Sequence, residues 1–351
     1  MTSAGVEGGQ ARAHPLCVMY DVALLDLDGV VYVGADPVPG AVAALKEAAS
    51  AGMRLAYVTN NAARPASVVR EHLAGFGLTL DVADVVTSAQ AAAAMLVPRL
   101  PQGSSVATVG GPGVAQALLE QGFRPVALDD SSAVAVVMGY GPDVSWRDLA
   151  AASFAVQRGA LFVATNTDRT IPLPQGIAPG NGMLVEAVVQ ACGQRPLVAG
   201  KPEPTLFREA VTRTGARRPL VVGDRLDTDI EGAVNAGLPS LLVLTGVTSS
   251  HEAVMAPLGS RPTYVATDLS SLLEPVPLVG RDANGTSWTC GGWSASIAQE
   301  TAGPIVHVRP LSDAEAPTGD ISRTGAIEAI RAACGAAWGS PEQVVAVTGL
   351  G

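Results

Sequence analysis

The chain has 351 residues, of which 22 are basic and 32 acidic, so its formal net charge is −10. Charged residues make up 15% of the chain, against roughly 25% in an ordinary soluble domain. An acidic chain without a basic run argues against a nucleic-acid-binding protein, because neutralising phosphates requires clustered lysine and arginine. No apolar stretch approaches the ~20 residues of a membrane-spanning helix, so no membrane span is expected.

The cysteines and the amino terminus indicate a reducing compartment. Residues 1–15 lack the apolar core of a secretory signal. The four cysteines are far apart and form no CxxC pair, which is typical of reduced thiols rather than of a disulfide framework or a zinc site. We therefore expect a cytoplasmic protein without zinc.

The dominant pattern along the chain is a short apolar run, a turn and then a segment with helical spacing. The predicted strands are 22–25, 55–58, 105–109, 134–138, 161–164, 220–222 and 241–244. The predicted helices between them are 42–49, 65–73, 114–121, 146–158 and 205–214. The strands are apolar at successive positions, as expected when both faces of a sheet are covered. The alternation predicts an α/β fold with a parallel sheet.

The sequence changes character from about residue 276. Pro275, Pro277 and the polar stretch 281–287 are typical of a linker or boundary. Beyond it, 287–298 and 305–308 predict strands, and 321–338 predicts a helix. The apolar face of that helix consists of Ile327, Ile330, Ala333 and Cys334. The tail is therefore predicted to be a small α+β unit.

Three apolar runs end directly in polar residues that suit catalysis. Asp26 and Asp28 follow the first run, Thr59 follows the second, and Asp224 and Asp229 follow the third. One aspartate after a strand is often only a helix cap or a turn former. In a doubly wound sheet, however, ligands bind just beyond the carboxyl ends of parallel strands. We therefore expect these five side chains to lie close together.

Such a gathering of carboxylates requires a counter-charge. Unpaired, the carboxylates would repel one another and raise each other's pKa. A hard divalent cation resolves the repulsion, because oxygen ligands and retained waters suit Mg²⁺. The sequence therefore predicts a magnesium site at these strand ends.

Lysine is rare enough in this chain to be informative. Lys46 and Lys201 are the only two lysines, and Lys46 lies in a helical segment where a solvated position explains it. Lys201 lies between Gly200 and Pro202, which restrict the backbone on both sides. A surface lysine in a turn is the alternative. An ammonium on a flexible stem offers a point charge to a phosphate and a carboxylate together.

Together these residues resemble the four signature motifs of the haloacid dehalogenase superfamily of phosphohydrolases. The first motif matches DLDGV at 26–30, and the second matches Thr59 within VTNN. The third matches Lys201, and the fourth matches Asp224 with Asp229 in GDxxxxD. The resemblance covers roughly residues 20–272. It implies a Rossmann-like, doubly wound parallel-sheet core.

The spacing of the motifs resembles one subgroup of that superfamily. Between Thr59 and Lys201 lie 141 residues, enough for an inserted α/β cap. This insertion, with TNTD at 165–168 and PGNG at 179–182, is similar to the C2-type (type IIA) caps of the nitrophenylphosphatase-like family. The strings GDRLDTDIEGA, PSLLVLTGV and VTSAQ resemble the actinobacterial glycerol-3-phosphate phosphatases, which also carry a C-terminal extension. The expected divisions are core 18–85, cap 86–194, core 195–275 and extension 276–351.

The resemblance assigns catalytic roles to five residues. It implies that Asp26 is the nucleophile that forms an aspartyl-phosphate, and that Asp28 is the general acid and then the general base. It implies Mg²⁺ held by Asp26, the backbone carbonyl of Asp28 and Asp224, with Asp229 orienting a water ligand of the ion from behind. Lys201 would offset the negative charge on Asp26 and on the phosphate.

Substrate contacts are expected from both the core and the cap. The resemblance implies that Thr59, Asn60 and Asn61 bind the phosphate group. In the cap the candidates are Asn166, Asp168, Arg169 and Asn181, although 166–168 is equally well explained as an Asx turn after a strand. The glycine cluster 110–113 is interpreted as a strand-to-helix turn rather than a phosphate loop, since glycines alone are a weak signal.

The sequence therefore predicts a Mg²⁺-dependent phosphatase for a small phosphorylated metabolite, with glycerol 3-phosphate preferred and a role in glycerophospholipid metabolism. Phosphoglycolate, pyridoxal phosphate and nucleoside monophosphates are the alternative substrates. A sensor with a stable phospho-aspartate is a second class, disfavoured by the acid/base candidate Asp28. A nucleotide-binding oxidoreductase is disfavoured because no strand–GxGxxG–helix fingerprint opens the chain. The oligomeric state stays open, a homo-oligomer included.

Overall fold

The computed structural model describes residues 14–173, 175–311 and 323–350. The β-strands are β1 (Val22–Leu25), β2 (Tyr32–Val33), β3 (Asp36–Pro37), β4 (Arg54–Thr59), β5 (Val85–Thr87), β6 (Ser105–Val109), β7 (Arg124–Val126), β8 (Ala135–Met138), β9 (Leu161–Ala164), β10 (Thr170–Leu173), β11 (Gly176–Pro179), β12 (Leu197–Val198), β13 (Pro219–Gly223), β14 (Ser240–Val243), β15 (Tyr264–Ala266), β16 (Gly280–Arg281), β17 (Ser287–Cys290), β18 (Trp293–Glu300), β19 (Gly303–Pro310) and β20 (Ala346–Thr348).

The helices complete this set. The α-helices are α1 (Leu16–Met19), α2 (Ala41–Ser50), α3 (Ala66–Gly75), α4 (Ser88–Leu96), α5 (Pro112–Glu120), α6 (Trp146–Gln157), α7 (Asn181–Cys192), α8 (Thr205–Thr214), α9 (Glu231–Ala236), α10 (Ser250–Val254) and α11 (Arg323–Gly339). Short 3₁₀ helices span Val82–Asp84, Leu258–Ser260 and Leu269–Leu272, and a π-helical turn spans Leu226–Ile230. None of the helices in the described ranges is long and apolar enough to cross a membrane.

The core is a six-stranded parallel sheet in the order β15-β14-β13-β1-β4-β5. Successive residues of β1 face opposite sides of this sheet. Ala23 and Leu25 join an apolar cluster with α2 and α3, whereas Val22 and Leu24 join another with α4 and α8. Both faces are therefore covered, which is the physical reason for the unbroken apolar runs. The predicted doubly wound core is confirmed.

The inserted cap contains a second parallel sheet, in the order β12-β9-β8-β6-β7, and the antiparallel hairpin β10-β11. Helices α6 and α7 cover one face of the sheet. The other face shares an apolar cluster with the core, in which Leu118 and Val163 of the cap join Leu24 and Phe207 of the core. The cap therefore packs on the core through buried apolar side chains as well as polar contacts.

The C-terminal extension is a five-stranded sheet, β16-β17-β18-β19-β20, with α11 against it. The strands are antiparallel except for β20, which is parallel to β19. Side chains of α11 donate to backbone carbonyls of the core: Arg331 Nε to Val265 at 2.8 Å and Trp338 Nε1 to Val254 at 3.1 Å. The predicted apolar face of this helix is confirmed, since Ile327, Ile330, Ala333 and Cys334 are all buried.

Two details of the predicted extension are corrected. The predicted strand 287–298 is two strands, because the chain turns at Gly291, whose φ of +54° lies in the left-handed region that favours glycine. The predicted linker 281–287 is the turn of the hairpin β16-β17, held by the Asp282 carboxylate, which accepts from the backbone N–H groups of Thr286 and Ser287. The first two residues of the predicted helix 321–338 lie outside the described residues.

The sheets suggest where the chain divides into units. The core sheet includes β5, which ends at Thr87, and the cap sheet includes β12, which ends at Val198. The expected divisions at 85/86 and 194/195 fall within four residues of these ends. We propose the core–cap–core–extension division on this basis.

The glycine cluster 110–113 lies at the contact between the cap and the core. It joins β6 to α5, as predicted for a strand-to-helix turn, with Pro112 in the first turn of the helix. The backbone N–H of Gly113 donates to the carbonyl of Ala63 at 3.1 Å. A Cβ on Gly113 would overlap the backbone of Ala62 and Arg64. Glycine is therefore required for this close approach.

The Gly113→Ala variant should be less stable by about 1–3 kcal/mol, because the methyl group meets backbone atoms that have no room to move. The measurement is the midpoint of thermal unfolding. The matched control is Gly75→Ala, also in a helix, where a Cβ meets open space. This control should be neutral or stabilising by up to about 1 kcal/mol. Equal midpoints for the two variants would contradict the close-approach argument.

Candidate active site

Three predicted site residues meet because their strands are neighbours in the core sheet. Asp26 follows β1, Thr59 is the last residue of β4, and Asp224 follows β13, and these strands are adjacent in the order β13-β1-β4. The backbone N–H of Asp26 donates to the carbonyl of Val222 at 2.9 Å, which continues the ladder and fixes the start of the loop. The carboxyl edge of the sheet therefore brings together residues far apart in the chain, as expected.

Lys201 lies at the centre of this edge and is only 2% exposed. Its ammonium donates to Asp26 Oδ1 at 2.5 Å and to Asp229 Oδ1 at 2.7 Å. It also lies 3.4 Å from the carbonyl oxygen of Val58. The alternative of a surface lysine in a turn is therefore wrong, and this side chain is a buried cation between two carboxylates.

Asp229 lies behind the other acidic groups, in the π-helical turn that follows Asp224. Its Oδ1 accepts from Lys201, and its Oδ2 accepts from the backbone N–H of Arg225 at 3.1 Å. Both oxygens of this fully buried carboxylate therefore have protein partners. This arrangement suits the expected supporting position better than a direct ligand position.

Asp224 is held by the loop that follows β14. Its Oδ2 accepts from the backbone N–H of Val247 at 2.7 Å, whereas its Oδ1 is buried and has no hydrogen-bond partner among the described residues. The backbone of Gly246 lies so close that a Cβ there would overlap the Asp224 carboxylate. The loop thus leaves one oxygen directed at a site that a ligand can fill.

These acidic groups fit a divalent cation. One oxygen each from Asp26, Asp224 and Asp229 lies within 4.8 Å of the other two. Oxygen donors of this kind suit Mg²⁺, and the unpartnered Oδ1 of Asp224 supplies a free ligand atom. The Asp28 side chain is exposed and stands outside this group. The expected contribution of its backbone carbonyl stays a prediction.

Burial and mutual repulsion raise the pKa values of Asp26 and Asp224. Burial raises the pKa of Asp26 well above its usual range, with Asp229 and Asp224 raising it further and Lys201 opposing them. Burial, together with Asp229, raises the pKa of Asp224 to about 6. Burial lowers the pKa of Lys201, but Asp229 and Asp26 outweigh it, so the net shift is upward and the lysine stays charged.

Asp28 has the electrostatic setting of a general acid. Desolvation by the surrounding protein raises its pKa, and the charges of Lys201, Arg64 and His72 lower it without cancelling the rise. A carboxyl group with a raised pKa keeps its proton closer to neutral pH, which suits proton donation. Its side chain is exposed, so a ligand has access to it.

Thr59 and Asn61 shape the turn that follows β4. The Thr59 hydroxyl accepts from the backbone N–H of Asn61 at 3.1 Å, and Asn61 Oδ1 accepts from the backbone N–H of Ala63 at 2.9 Å. Thr59 is buried, and its hydroxyl hydrogen stays available as a donor. The phosphate contacts of these two residues remain proposals.

The Asn60 side chain, which was expected to contact the substrate, contacts other residues of the protein in this structure. Its Oδ1 accepts from the backbone N–H of Lys201 at 2.8 Å. Its Nδ2 donates to the carbonyl of Lys201 at 3.1 Å and to both carboxylate oxygens of Asp168 at 3.2 Å. The amide is thus fully used within the protein, which leaves it no hydrogen for a phosphate.

The cap asparagines, also expected to contact the substrate, donate to backbone carbonyls in this structure. Asn166 and Asn181 are buried, with exposures of 4% and 2%. Asn166 Nδ2 donates to the carbonyl of Asn60 at 2.7 Å, and Asn181 Nδ2 donates to the carbonyl of Asn166 at 2.8 Å. The Asx turn is also present, since Asn166 Oδ1 accepts from the backbone N–H of Asp168 at 3.2 Å. Arg169 is exposed.

Sequence reasoning missed the side chains that surround Asp28. The charges of Arg64 and His72 lower the pKa of Asp28. Desolvation, followed by the charges of Asp28 and Asp26, raises the pKa of Tyr32. The rings of Tyr32 and His72 meet edge to face with centroids 5.0 Å apart. Arg64 is the one basic residue between 60 and 69, and this was the available signal.

The comparisons with known proteins agree with this geometry. A haloacid dehalogenase-like hydrolase model matches residues 23–124, and a second model of the same kind matches residues 198–272. D-Glycerol 3-phosphate phosphatase of Mycobacterium tuberculosis is 49% identical over 260 residues, covering 74% of this chain and 73% of that protein.

Two solved structures are also similar. Glycerol phosphate phosphatase of M. tuberculosis in complex with magnesium has a TM-score of 0.83 and 40% identity, covering 96% of this chain and 95% of that one. The p-nitrophenyl phosphatase of Archaeoglobus fulgidus has a TM-score of 0.67 and 29% identity, covering 72% and 98%.

A parallel-sheet core with an inserted cap and a lysine between two aspartates at the strand ends is the arrangement expected of a phosphohydrolase. The chain belongs to the haloacid dehalogenase-like hydrolases. It is a phosphatase of the type IIA, nitrophenylphosphatase-like group.

Mg²⁺ should stabilise the protein more at pH 8 than at pH 5. Without metal, the pKa of Asp224 is raised to about 6. The protonated carboxyl group therefore stabilises the folded protein below about pH 4, and this contribution is lost as the pH rises through about 6. Cation binding needs the ionised carboxylate, so it is strong only above that range. The measurement is the thermal midpoint with Mg²⁺ and with EDTA at both pH values.

The control for this prediction is an aspartate of the cap. Asp224→Asn should remove the Mg²⁺-dependent rise, whereas Asp129→Asn should keep it, because Asp129 is exposed in the loop before β8. A rise of equal size at both pH values, or one that survives Asp224→Asn, would refute the assignment of this carboxylate.

Proposed function

We propose that this phosphatase hydrolyses small phosphate monoesters with Mg²⁺, with glycerol 3-phosphate as the preferred substrate. The observation that carries the reaction type is the Asp26 carboxylate, held at a strand end by the Lys201 ammonium with the raised-pKa Asp28 two residues on. The 49% identity to the D-glycerol 3-phosphate phosphatase of M. tuberculosis supports the substrate.

In the first step, a carboxylate oxygen of Asp26 attacks phosphorus in line with the ester oxygen. The new P–O bond to Asp26 forms as the P–O bond to the alcohol breaks, and the departing alkoxide takes the proton of Asp28. Lys201 donates to Asp26 Oδ1 and offsets the charge that accumulates as two anions approach. The Thr59 hydroxyl is placed at the neighbouring strand end to donate to a phosphate oxygen.

In the second step, water attacks the phosphorus of the aspartyl-phosphate. Asp28, now ionised, takes the proton of this water as the P–O bond to Asp26 breaks and inorganic phosphate forms. One carboxyl group performs both proton transfers, and Asp26 returns to its starting state. Asp224 and Asp26 would hold Mg²⁺, with Asp229 behind them, and the bound ion would supply positive charge next to the phosphate oxygens.

The cap supports the choice of a small substrate. It contacts the core both through a shared apolar cluster and through Asp168 and Asn166 next to the catalytic lysine. A cap seated over the strand ends limits substrate size and excludes water during phosphoryl transfer. A three-carbon ester such as glycerol 3-phosphate suits such a site.

The cellular setting follows from the same chemistry. The described cysteines, Cys17, Cys192, Cys290 and Cys334, are all free thiols, as is usual in a reducing compartment. We infer a cytoplasmic enzyme whose substrate belongs to glycerophospholipid metabolism.

Asp26→Asn should lower kcat by at least about a thousandfold, because an amide does not attack phosphorus. Phosphate release from p-nitrophenyl phosphate measures this, and circular dichroism and the thermal midpoint confirm that the fold is kept. Asp129→Asn, with its exposed side chain in the cap, is the control and should keep wild-type activity. Phosphatase activity retained by folded Asp26→Asn would eliminate Asp26 as the nucleophile.

A panel of esters tests the substrate. With Mg²⁺, kcat/KM for glycerol 3-phosphate should exceed those for phosphoglycolate, pyridoxal phosphate and AMP by at least about tenfold, the discrimination that a few well-placed contacts provide. EDTA should abolish all four activities. Rapid cleavage of another ester with failure on glycerol 3-phosphate would overturn the substrate and leave the reaction type standing.

A further inference from the structure

The Asn60 side chain connects the cap to the backbone of the catalytic lysine. It contacts Lys201 at two points, accepting from its N–H at 2.8 Å and donating to its carbonyl at 3.1 Å. The second hydrogen of the same amide is shared between the two oxygens of Asp168, each at 3.2 Å. One neutral amide thus joins a core residue 141 positions away to a cap residue 108 positions away.

Asp168 is held in place for this contact by its own turn. Its backbone N–H donates to Asn166 Oδ1 at 3.2 Å, and Asn166 Nδ2 donates back to the carbonyl of Asn60 at 2.7 Å. The Ser88 hydroxyl donates to the same carbonyl at 2.6 Å. The side chain and the backbone of Asn60 are therefore both fixed, from two sides.

The geometry does not favour Asp168 as a substrate ligand. Both of its oxygens accept from Asn60, and no ion pair shorter than 4.0 Å involves it among the described residues. Asp168 is half-buried, and the charges of Lys201 and Arg225 act on it from beyond hydrogen-bond distance. Its direct side-chain contact is therefore with Asn60.

Small errors in the position of Lys201 matter for the reaction. Its ammonium contacts Asp26 Oδ1 and Asp229 Oδ1 at hydrogen-bond distance, and its backbone is attached to Asn60. Loss of the Asp168 contact would leave the Asn60 amide held by the Lys201 backbone alone, so that the two could shift together. Misplacement of a catalytic group by about 1 Å costs on the order of a hundredfold in rate.

We propose that Asp168 is a positioning residue that acts through Asn60 on Lys201. The catalytic ammonium is then in place only while segment 166–168 of the cap rests on the core. The cap contacts the core and the charge at Asp26 is neutralised at the same time, which prevents phosphoryl transfer while the site is open. This inference rests on the proposed phosphatase mechanism. It attributes the dependence of catalysis on the cap to the contact between Asp168 and Asn60.

The test is a double-mutant cycle measured with two substrates, p-nitrophenyl phosphate and glycerol 3-phosphate. Asp168→Ala should lower kcat by about ten- to a hundredfold, with little change in KM and by the same factor for both esters. Asp168→Asn, which keeps one oxygen for Asn60, should retain more activity than Asp168→Ala. In the Asn60→Ala background, Asp168→Ala should have no further effect, since residues that act as a unit are not additive.

Three results would overturn the proposal. A rise in KM confined to glycerol 3-phosphate would make Asp168 a substrate contact. Full additivity of Asp168→Ala and Asn60→Ala would mean that Asp168 does not act through Asn60. An unchanged kcat in folded Asp168→Ala would remove the residue from catalysis. Asp129→Ala is the matched control in the cap and should leave kcat unchanged.

Two measurements keep the proposal separate from the proposed function. If the wild-type protein cleaves p-nitrophenyl phosphate but not glycerol 3-phosphate, only the substrate assignment is wrong. The double-mutant cycle is then measured with p-nitrophenyl phosphate alone. A crystal structure of Asp168→Asn or Asp168→Ala shows the position of Lys201 independently of any activity measurement. We expect the distance between Lys201 Nζ and Asp26 Oδ1 to be longer in the variant than in a wild-type crystal structure solved under the same conditions, and an unmoved lysine would contradict the inference.

Discussion

The buried ammonium of Lys201 is the interaction on which the rest of the site depends. A cation with 2% exposure is stable only with close counter-charges, and Asp26 and Asp229 provide them at 2.5 and 2.7 Å. The carboxylates in turn need the lysine, because three acidic groups within a few ångströms would otherwise repel one another. Removing either partner leaves the other as an uncompensated buried charge. The segments that follow β1 and β13 are therefore held together by charge as well as by the sheet ladder.

The charge at this site is still unbalanced in favour of the acids. Asp26, Asp224 and Asp229 face one ammonium, and the Asp224 Oδ1 atom has no partner among the described residues. Burial is the main reason why the pKa values of Asp26 and Asp224 are raised, and the repulsion between the carboxylates adds to it. A divalent cation both restores the balance and supplies an acceptor for that oxygen. The close approach of Gly246 keeps Asp224 directed towards the site.

Asparagine side chains connect the cap to this charged centre. Asn60 donates to the backbone carbonyl of Lys201, Asn166 donates to that of Asn60, and Asn181 donates to that of Asn166. An amide both donates and accepts without carrying charge, so it links buried backbone groups at little electrostatic cost. The shared apolar cluster of core and cap holds the two units against each other. The asparagine amides fix the position of the cap relative to the core next to Lys201.

The sequence by itself determined the parts of the molecule that depend on local pattern. The apolar runs located β1, β6 and β9 to the residue, because a strand covered on both faces is apolar at most of its positions. The strand ends indicated Asp26, Thr59 and Asp224, the scarcity of lysine indicated Lys201, and the family resemblance joined them into one site. The strands β17 and β18 were predicted as one, since the turn between them, Cys290–Trp293, has no strong local signal beyond its two glycines.

Only the tertiary structure decided the partners of the polar side chains. Sequence reasoning assigned Asn60 and Asn166 to the substrate, but their amides are satisfied by residues more than a hundred positions away. An asparagine after a strand has the same local pattern whether it faces a ligand or a neighbouring domain. The choice is made when folding brings a backbone carbonyl or a carboxylate within hydrogen-bond distance, and that proximity is a property of the whole fold.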